Sequence, residues 1–171
     1  MHRRTAVCTA VLWVFLCSFC GCTQKVDPPL PAAFTATAEI THGEFSCRAN
    51  LTRQADGTLV THLESPAALQ ALTVSQNETD CIFTFFGKEI RLPAGILPDA
   101  AFAKLVYAAL QSAQSSSRCV KTRNGDVAVY SGMTAVGDTY TLTQDRETGA
   151  LLTLTMQGQK LKADFSSFQA A

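Results

Sequence analysis

Three histidines, one tryptophan and a charged fraction of only 16% leave this 171-residue sequence with few chemistry-bearing side chains. Its 14 basic and 14 acidic residues cancel, so the electrostatic footprint of a nucleic-acid binder is missing. No GxSxG, SxxK or HExxH occurs, which removes the commonest hydrolase and zinc-peptidase signatures. Cys47, Cys81 and Cys119 have neither CxxC nor CxxxH spacing, so they form no metal motif. A nucleophile, a general base and a metal set are all wanting, and the reading is of a protein that is not an enzyme and carries no cofactor. The 47% apolar fraction describes a globular chain with room for one domain of ordinary size.

What is present begins at the N-terminus. His2, Arg3 and Arg4 form a short positive region, and Thr5 to Phe19 runs almost without polarity. That is the layout of an export signal, a little short for a spanning helix. Phe19-Cys20-Gly21-Cys22 resembles the lipobox of lipoprotein signal peptidase, with small Gly21 before a cysteine whose thiol would accept diacylglycerol. Phe19 stands where Leu is usual, Cys20 is an uncommon second residue, and Cys17 and Cys20 are rival cysteines with poorer neighbours. An uncleaved signal anchor and free secretion are the alternatives. The lipobox reading divides the chain into a signal at 1–21, a lipidated Cys22 with a Pro-rich tether to residue 32, and a single domain at 33–171. Cleavage leaves 12 basic against 14 acidic side chains and removes Trp13, the only tryptophan. Two acyl chains, typically palmitate, are enough for stable attachment. The expected place is the outer leaflet of the cell membrane.

Beyond the tether the apolar pattern has period two. Phe34 to Ile40, Phe45 to Leu51 and Leu59 to Leu63 read as three hairpin-linked strands, with turns at His42-Gly43 and Ala55-Asp56-Gly57. Ser65 to Leu69 reads as one helical turn capped by Ser65. Strands follow at Leu72–Ser75, Cys81–Phe86 and Glu89–Leu92. After Pro98, with Asp99 as cap, Phe102, Leu105, Val106, Ala109 and Leu110 fall on one helical face. Five more strands are predicted near 117–122, 127–131, 139–143, 150–156 and 159–165. Strands, one helix, then strands exclude alternating βαβ units. The fold class is α+β: a strongly curved antiparallel half-barrel covered by one main helix and short helical turns.

This order, with Ser65-Pro66-Ala67-Ala68-Leu69 before Leu72-Thr73-Val74, Ile82 to Gly87 before Glu89-Ile90, and Tyr140 to Leu142 before Asp145 to Leu151, resembles the LolA/LppX/RseB-type lipoprotein carriers, including Gram-positive and germination-lipoprotein members. The resemblance implies an acyl chain, lipid or lipid-modified partner held in the concavity of the sheet. It implies, alternatively, a scaffold acting on a protein partner in envelope or spore germination processes. It brings no catalytic residues.

The candidate apolar pocket is Phe45, Phe83, Phe85, Phe102, Leu105 and Phe165, although a domain of this size needs such residues for its core alone. Cys47, Cys81 and Cys119 are candidates for one disulfide of unassigned pairing, or for three buried thiols. His42 and His62 read as surface residues. Lys160 and Lys162 flank Leu161 as if to blunt an edge strand.

Overall fold

The computed structural model describes residues 28–98, 101–115 and 117–171; the export segment, Cys22 and Asp99 lie outside them. Six strands come first: β1 (Phe34–His42), β2 (Phe45–Arg53), β3 (Leu59–Ser65), β4 (Leu72–Gln76), β5 (Asp80–Phe85) and β6 (Lys88–Pro93). Among the described residues one helix, α1 (Phe102–Ala113), precedes five more: β7 (Cys119–Asn124), β8 (Val127–Met133), β9 (Thr139–Asp145), β10 (Leu151–Met156) and β11 (Leu161–Ala170). Short 3₁₀ turns occupy Ala67–Leu69, Ala94–Ile96 and Gln157–Gln159.

All strands form one antiparallel sheet, in the order β6-β5-β4-β3-β2-β1-β11-β10-β9-β8-β7. Two meanders are therefore sewn together where the first strand meets the last, from Phe34 opposite Ala170 to His42 opposite Leu161. The chain passes between the two free edges, β6 and β7, by way of α1. The fold is the expected α+β half-barrel: a single open, curled sheet with one helix in its hollow.

Alternation in the sequence decides which face is hollow. Phe34, Ala36, Ala38 and Ile40 of β1 are buried, as are Cys47, Ala49 and Leu51 of β2, and Leu59 and Leu63 of β3. Their outward neighbours are polar and bond to one another across the strands. Thr37 Oγ1 donates to Asn50 Oδ1 at 3.0 Å, Asn50 Nδ2 donates to Glu64 Oε1 at 2.6 Å, and Arg48 pairs with Glu64 at 2.9 Å. A sheet solvated on one face must cover the other.

The cover is α1. Sequence periodicity gives it one apolar face, but Ala103, Leu105, Val106, Tyr107, Ala109, Leu110, Ser112 and Ala113 are all buried. The excess arises because the curled sheet wraps around the helix and meets it on more than one side. Leu105 and Leu110 share a core cluster with Ala36, Ala38, Ala49 and Ala163 of the central strands, where small side chains leave room for larger ones from above. Each fully buried Leu contributes roughly 1.5–3 kcal/mol.

Several local expectations are corrected. The N-cap position of α1 falls on Ala101, without a side-chain cap. The loop before the helix is instead tied by Lys104 Nζ, which donates to the Leu97 carbonyl at 2.9 Å. Ser65 ends β3 and does not cap; its Oγ accepts from the Arg48 backbone N–H at 2.9 Å, and Pro66 takes the cap position of the turn. Lys160 and Lys162 guard no edge, because β11 lies between β1 and β10. Lys160 closes the preceding turn in a left-handed conformation, and Lys162 pairs with Asp164 at 2.7 Å. β11 also runs past Phe165 to Ala170. A register shift opposite Thr35–Thr37 and a positive φ at Ser167 accompany a tilted contact of the Phe168 ring with Phe34, centroids 5.3 Å apart.

Candidate binding groove

The six residues proposed as an apolar pocket do not converge on one space. Phe45 stacks on Phe102 with centroids 5.7 Å apart. Both pack against the main core, as does Phe165, while Leu105 is wholly buried within it. Phe83 packs instead against a second cluster of Val74, Cys81, Leu97 and Ala103. Phe85 sits at the end of the β5–β6 hairpin, 38% exposed, against the ring of Phe86. Leu105 is thus core, Phe45, Phe102 and Phe165 are half-buried against it, Phe102 and Phe83 both border the second cluster, and Phe85 lies apart.

Open space occurs elsewhere, along the C-terminal half of α1. A cleft of about 360 Å³ lies among Glu78, Tyr107, Ala108, Gln111, Arg118 and Ala135. Arg118 and Ala135 also border a second cleft of about 660 Å³, with Cys119, Val120, Gly132 and Met133. Cys119 in turn borders a third of about 460 Å³, with Pro29, Leu30, Ala113, Gln114 and Tyr130. The three clefts adjoin at these shared residues and are together called the groove, which extends from the Pro-rich segment past Cys119 to Tyr107. Each part is of a size that ligand sites adopt, and none of the six pocket candidates lines it.

Two buried polar assemblies hold the walls of this groove. In the first, Arg53 continues the inward register of Cys47, Ala49 and Leu51 and is only 2% exposed. One of its guanidinium nitrogens, Nη2, donates to Gln111 Oε1 at 2.7 Å and to Gln114 Oε1 at 2.8 Å, tying β2 to the end of α1. Gln111 Nε2 then donates to Glu78 at 3.1 Å. Burial lowers the Arg53 pKa, and burial followed by the nearby Glu78 charge raises that of Tyr107.

In the second, Gln144 is completely buried in β9. Its Oε1 accepts from Tyr130 Oη at 2.8 Å, while Nε2 donates to the carbonyls of Gly149 and Pro29 at 2.9 and 3.3 Å. Lys121 Nζ and Gln114 Nε2 reach the Pro28 and Pro31 carbonyls at 3.3 and 3.2 Å. The described part of the Pro-rich segment is therefore bound to the domain and forms one wall of the groove. Proline lacks an N–H, so these contacts use its carbonyl alone.

Sequence reading missed Arg53 and Gln144 as site-builders. The available signal was a polar side chain at an inward register position, which burial makes costly unless it is partnered. Cys119, Arg118 and Ala135 carried no such signal, since their meeting depends on how α1 leads into β7.

The cysteines resolve as three free thiols, with Cys47 and Cys81 buried and Cys119 half-buried. Burial pushes Cys47 and Cys81 up to about 11. His62 is exposed and meets Thr73 Oγ1 through Nδ1 at 3.0 Å. Among the described residues no helix is long and apolar enough to cross a membrane, and no cluster of metal-ligating side chains is found.

No protein-family model matches the sequence, and no curated protein matches it. Solved structures similar to it include an uncharacterized conserved protein from Thermus thermophilus, with 10% identity and a TM-score of 0.50 over 83% of this chain and 80% of that one. A LolA superfamily protein from Nitrosomonas europaea is also among them, at 10% identity and TM-score 0.42 over 86% and 89%. LprF from Mycobacterium bovis follows at 12% and 0.38 over 81% and 87%. At such identities the likeness concerns the fold alone.

Proposed function

We propose that this protein is a membrane-anchored extracytoplasmic lipoprotein, lipidated at Cys22, that binds an acyl chain, a lipid or a lipid-modified partner without catalysing a reaction. The observation that carries the reading is the groove beside α1. Its apolar wall residues include Leu30, Ala113, Val120, Tyr130, Met133 and Ala135, set among polar ones such as Glu78, Gln111, Arg118 and Lys121, and extended space with so much apolar lining suits a flexible chain better than a compact polar metabolite. One end of it is lined by Pro29, Leu30 and Ala32, of the segment that leads back to Cys22. The ligand would therefore enter on the side that the tether holds toward the bilayer. A LolA superfamily neighbour is compatible with this reading.

A second reading has its own observation. The curled sheet ends in two free edges, β6 and β7, and most of β7 is exposed. A partner peptide could add there as a further strand.

Cys119 gives a direct test, because it lies in the groove wall while the other two described thiols are buried. Lipid in the groove should slow alkylation of Cys119 in protein freed of its native ligand, and a filling substitution such as Ala135→Trp should abolish that protection. Alkylation at one rate with and without lipid would sink the carrier reading and leave the edge-strand one.

A further inference from the structure

The β5–β6 hairpin carries apolar surface that the fold does not use. Its turn is Phe86-Gly87, both residues with positive φ, 47° and 74°. Tight hairpins favour Asn, Asp or Gly at such positions, because a Cβ there crowds the following carbonyl oxygen, which Gly avoids and the locally bonding Asn and Asp offset. Phe86 is nevertheless the occupant. It is 78% exposed, and its recorded ring contact is with neighbouring Phe85, edge-to-face at 4.5 Å. Ile90, opposite Phe83 in the ladder, is 61% exposed, and Lys88 stands opposite Phe85. Arg91 lies near Asp80 and Glu89, at 3.9 and 4.0 Å.

We propose that the Phe85–Phe86 tip is a second membrane contact, seated in the interfacial layer of the bilayer with Lys88 at headgroup depth. Phenylalanine rings bury at the boundary of headgroups and acyl chains, and a neighbouring lysine lays its stem along them while its ammonium stays wet. The proposal rests on the reading that Cys22 carries lipid. Six Cα-to-Cα steps, with five residues between, separate Cys22 from Pro28, where the chain is already bound to the domain. At full extension they span about 20 Å. The tip lies at the end of the sheet opposite Phe34, so the leash brings it to the bilayer when the domain lies along the membrane surface, a pose in which an exposed aromatic tip gains contact that water denies it. The tip would fix the orientation of a domain that a lipid anchor alone leaves free to tumble.

The full-length protein with Trp13→Phe and Phe86→Trp has a single indole, placed at the tip. It is extracted from its membrane and reconstituted in phosphatidylethanolamine–phosphatidylglycerol vesicles containing acyl-brominated lipid. A matched Val120→Trp protein reports an exposed apolar site of the groove. The tip indole should show emission shifted to the blue and loss of intensity to the brominated lipid, with little quenching by aqueous iodide. Emission and iodide quenching equal to those of the same protein in lipid-free detergent-exchanged buffer would overturn the proposal. The intact mass of the same sample reads the anchor separately. A diacylglyceryl mass with an aqueous indole rejects the tip alone, a lipid-quenched indole without that mass rejects the anchor alone, and absence of both rejects both.

Discussion

Arg53 and Gln111 meet at 2.7 Å, guanidinium nitrogen to amide oxygen, and join the sheet to the end of the helix that covers it. The contact is lopsided. Nε and Nη1 of Arg53 are buried without a hydrogen-bond partner among the described residues, so the guanidinium depends on a single nitrogen for the contacts that offset its desolvation.

Removing the acceptor should therefore do more harm than removing the cation. Gln111→Leu strands a buried donor and is expected to cost about 1–3 kcal/mol. Arg53→Met deletes the charge and its unpartnered nitrogens together and should cost less. Urea denaturation of the two variants reads the order directly, and the reverse order would show that Arg53 has a partner beyond these amides.

Gly132 faces a different constraint. A Cβ there would lie 2.7 Å from Tyr140 Oη and closer still to the Arg118 carbonyl, which belongs to the backbone. Gly132→Ala should lower stability by about 1–3 kcal/mol through overpacking, measured as a lower urea midpoint. Gly95→Ala, where no atom lies within 4 Å, serves as the tolerant control.

The buried thiols predict an alkaline weakness. Cys47 and Cys81 keep their protons up to about 11 in the folded chain, against an ordinary value of 9.0. Below pH 9 both states hold the proton and stability is complete. Between pH 9 and 11 the unfolded chain binds fewer protons, so stability falls by about 1.4 kcal/mol per pH unit for each thiol. Chemical denaturation from pH 8 to 11 should show this slope, and Cys47→Ala with Cys81→Ala should flatten it. An unchanged slope would assign the effect to other groups, such as Tyr140, which burial holds near 12.

Phe86→Asn should raise stability, against the usual direction of a point substitution. Asn accepts the left-handed conformation that Phe86 adopts at φ 47°, and about 1 kcal/mol of strain is expected to be released. Thermal unfolding of the two proteins measures it, and a destabilised variant would mean that the Phe86 ring supports the fold.

Alternation made the central strands legible, because they are wet on one face and dry on the other, as Thr37 and Ala38 show within β1, whereas β6 and β7 at the edges are mostly exposed. The helix was legible through the spacing of Phe102, Leu105, Val106 and Leu110. What could not be read was how distant segments meet. The pairing of Phe34 with Ala170 closes the sheet across the whole chain, and no local pattern encodes it. The groove has the same origin: Leu30, Cys119 and Ala135 become neighbours only after β1 has found β11 and α1 has crossed the hollow. The six apolar residues picked from the sequence were picked for hydrophobicity, which marks cores and pockets alike; Leu105 is core, and Phe45, Phe102 and Phe165 are half-buried against it.

The central claim is that the groove holds lipid in a lipid-anchored protein, and native mass spectrometry of the protein extracted from its own membrane tests it most directly. The account predicts a chain beginning at Cys22 with covalent acyl mass. It also predicts a population heavier by a lipid that leaves on denaturation and is lost in the Ala135→Trp variant. A single mass with no bound lipid, repeated across preparations, would contradict it.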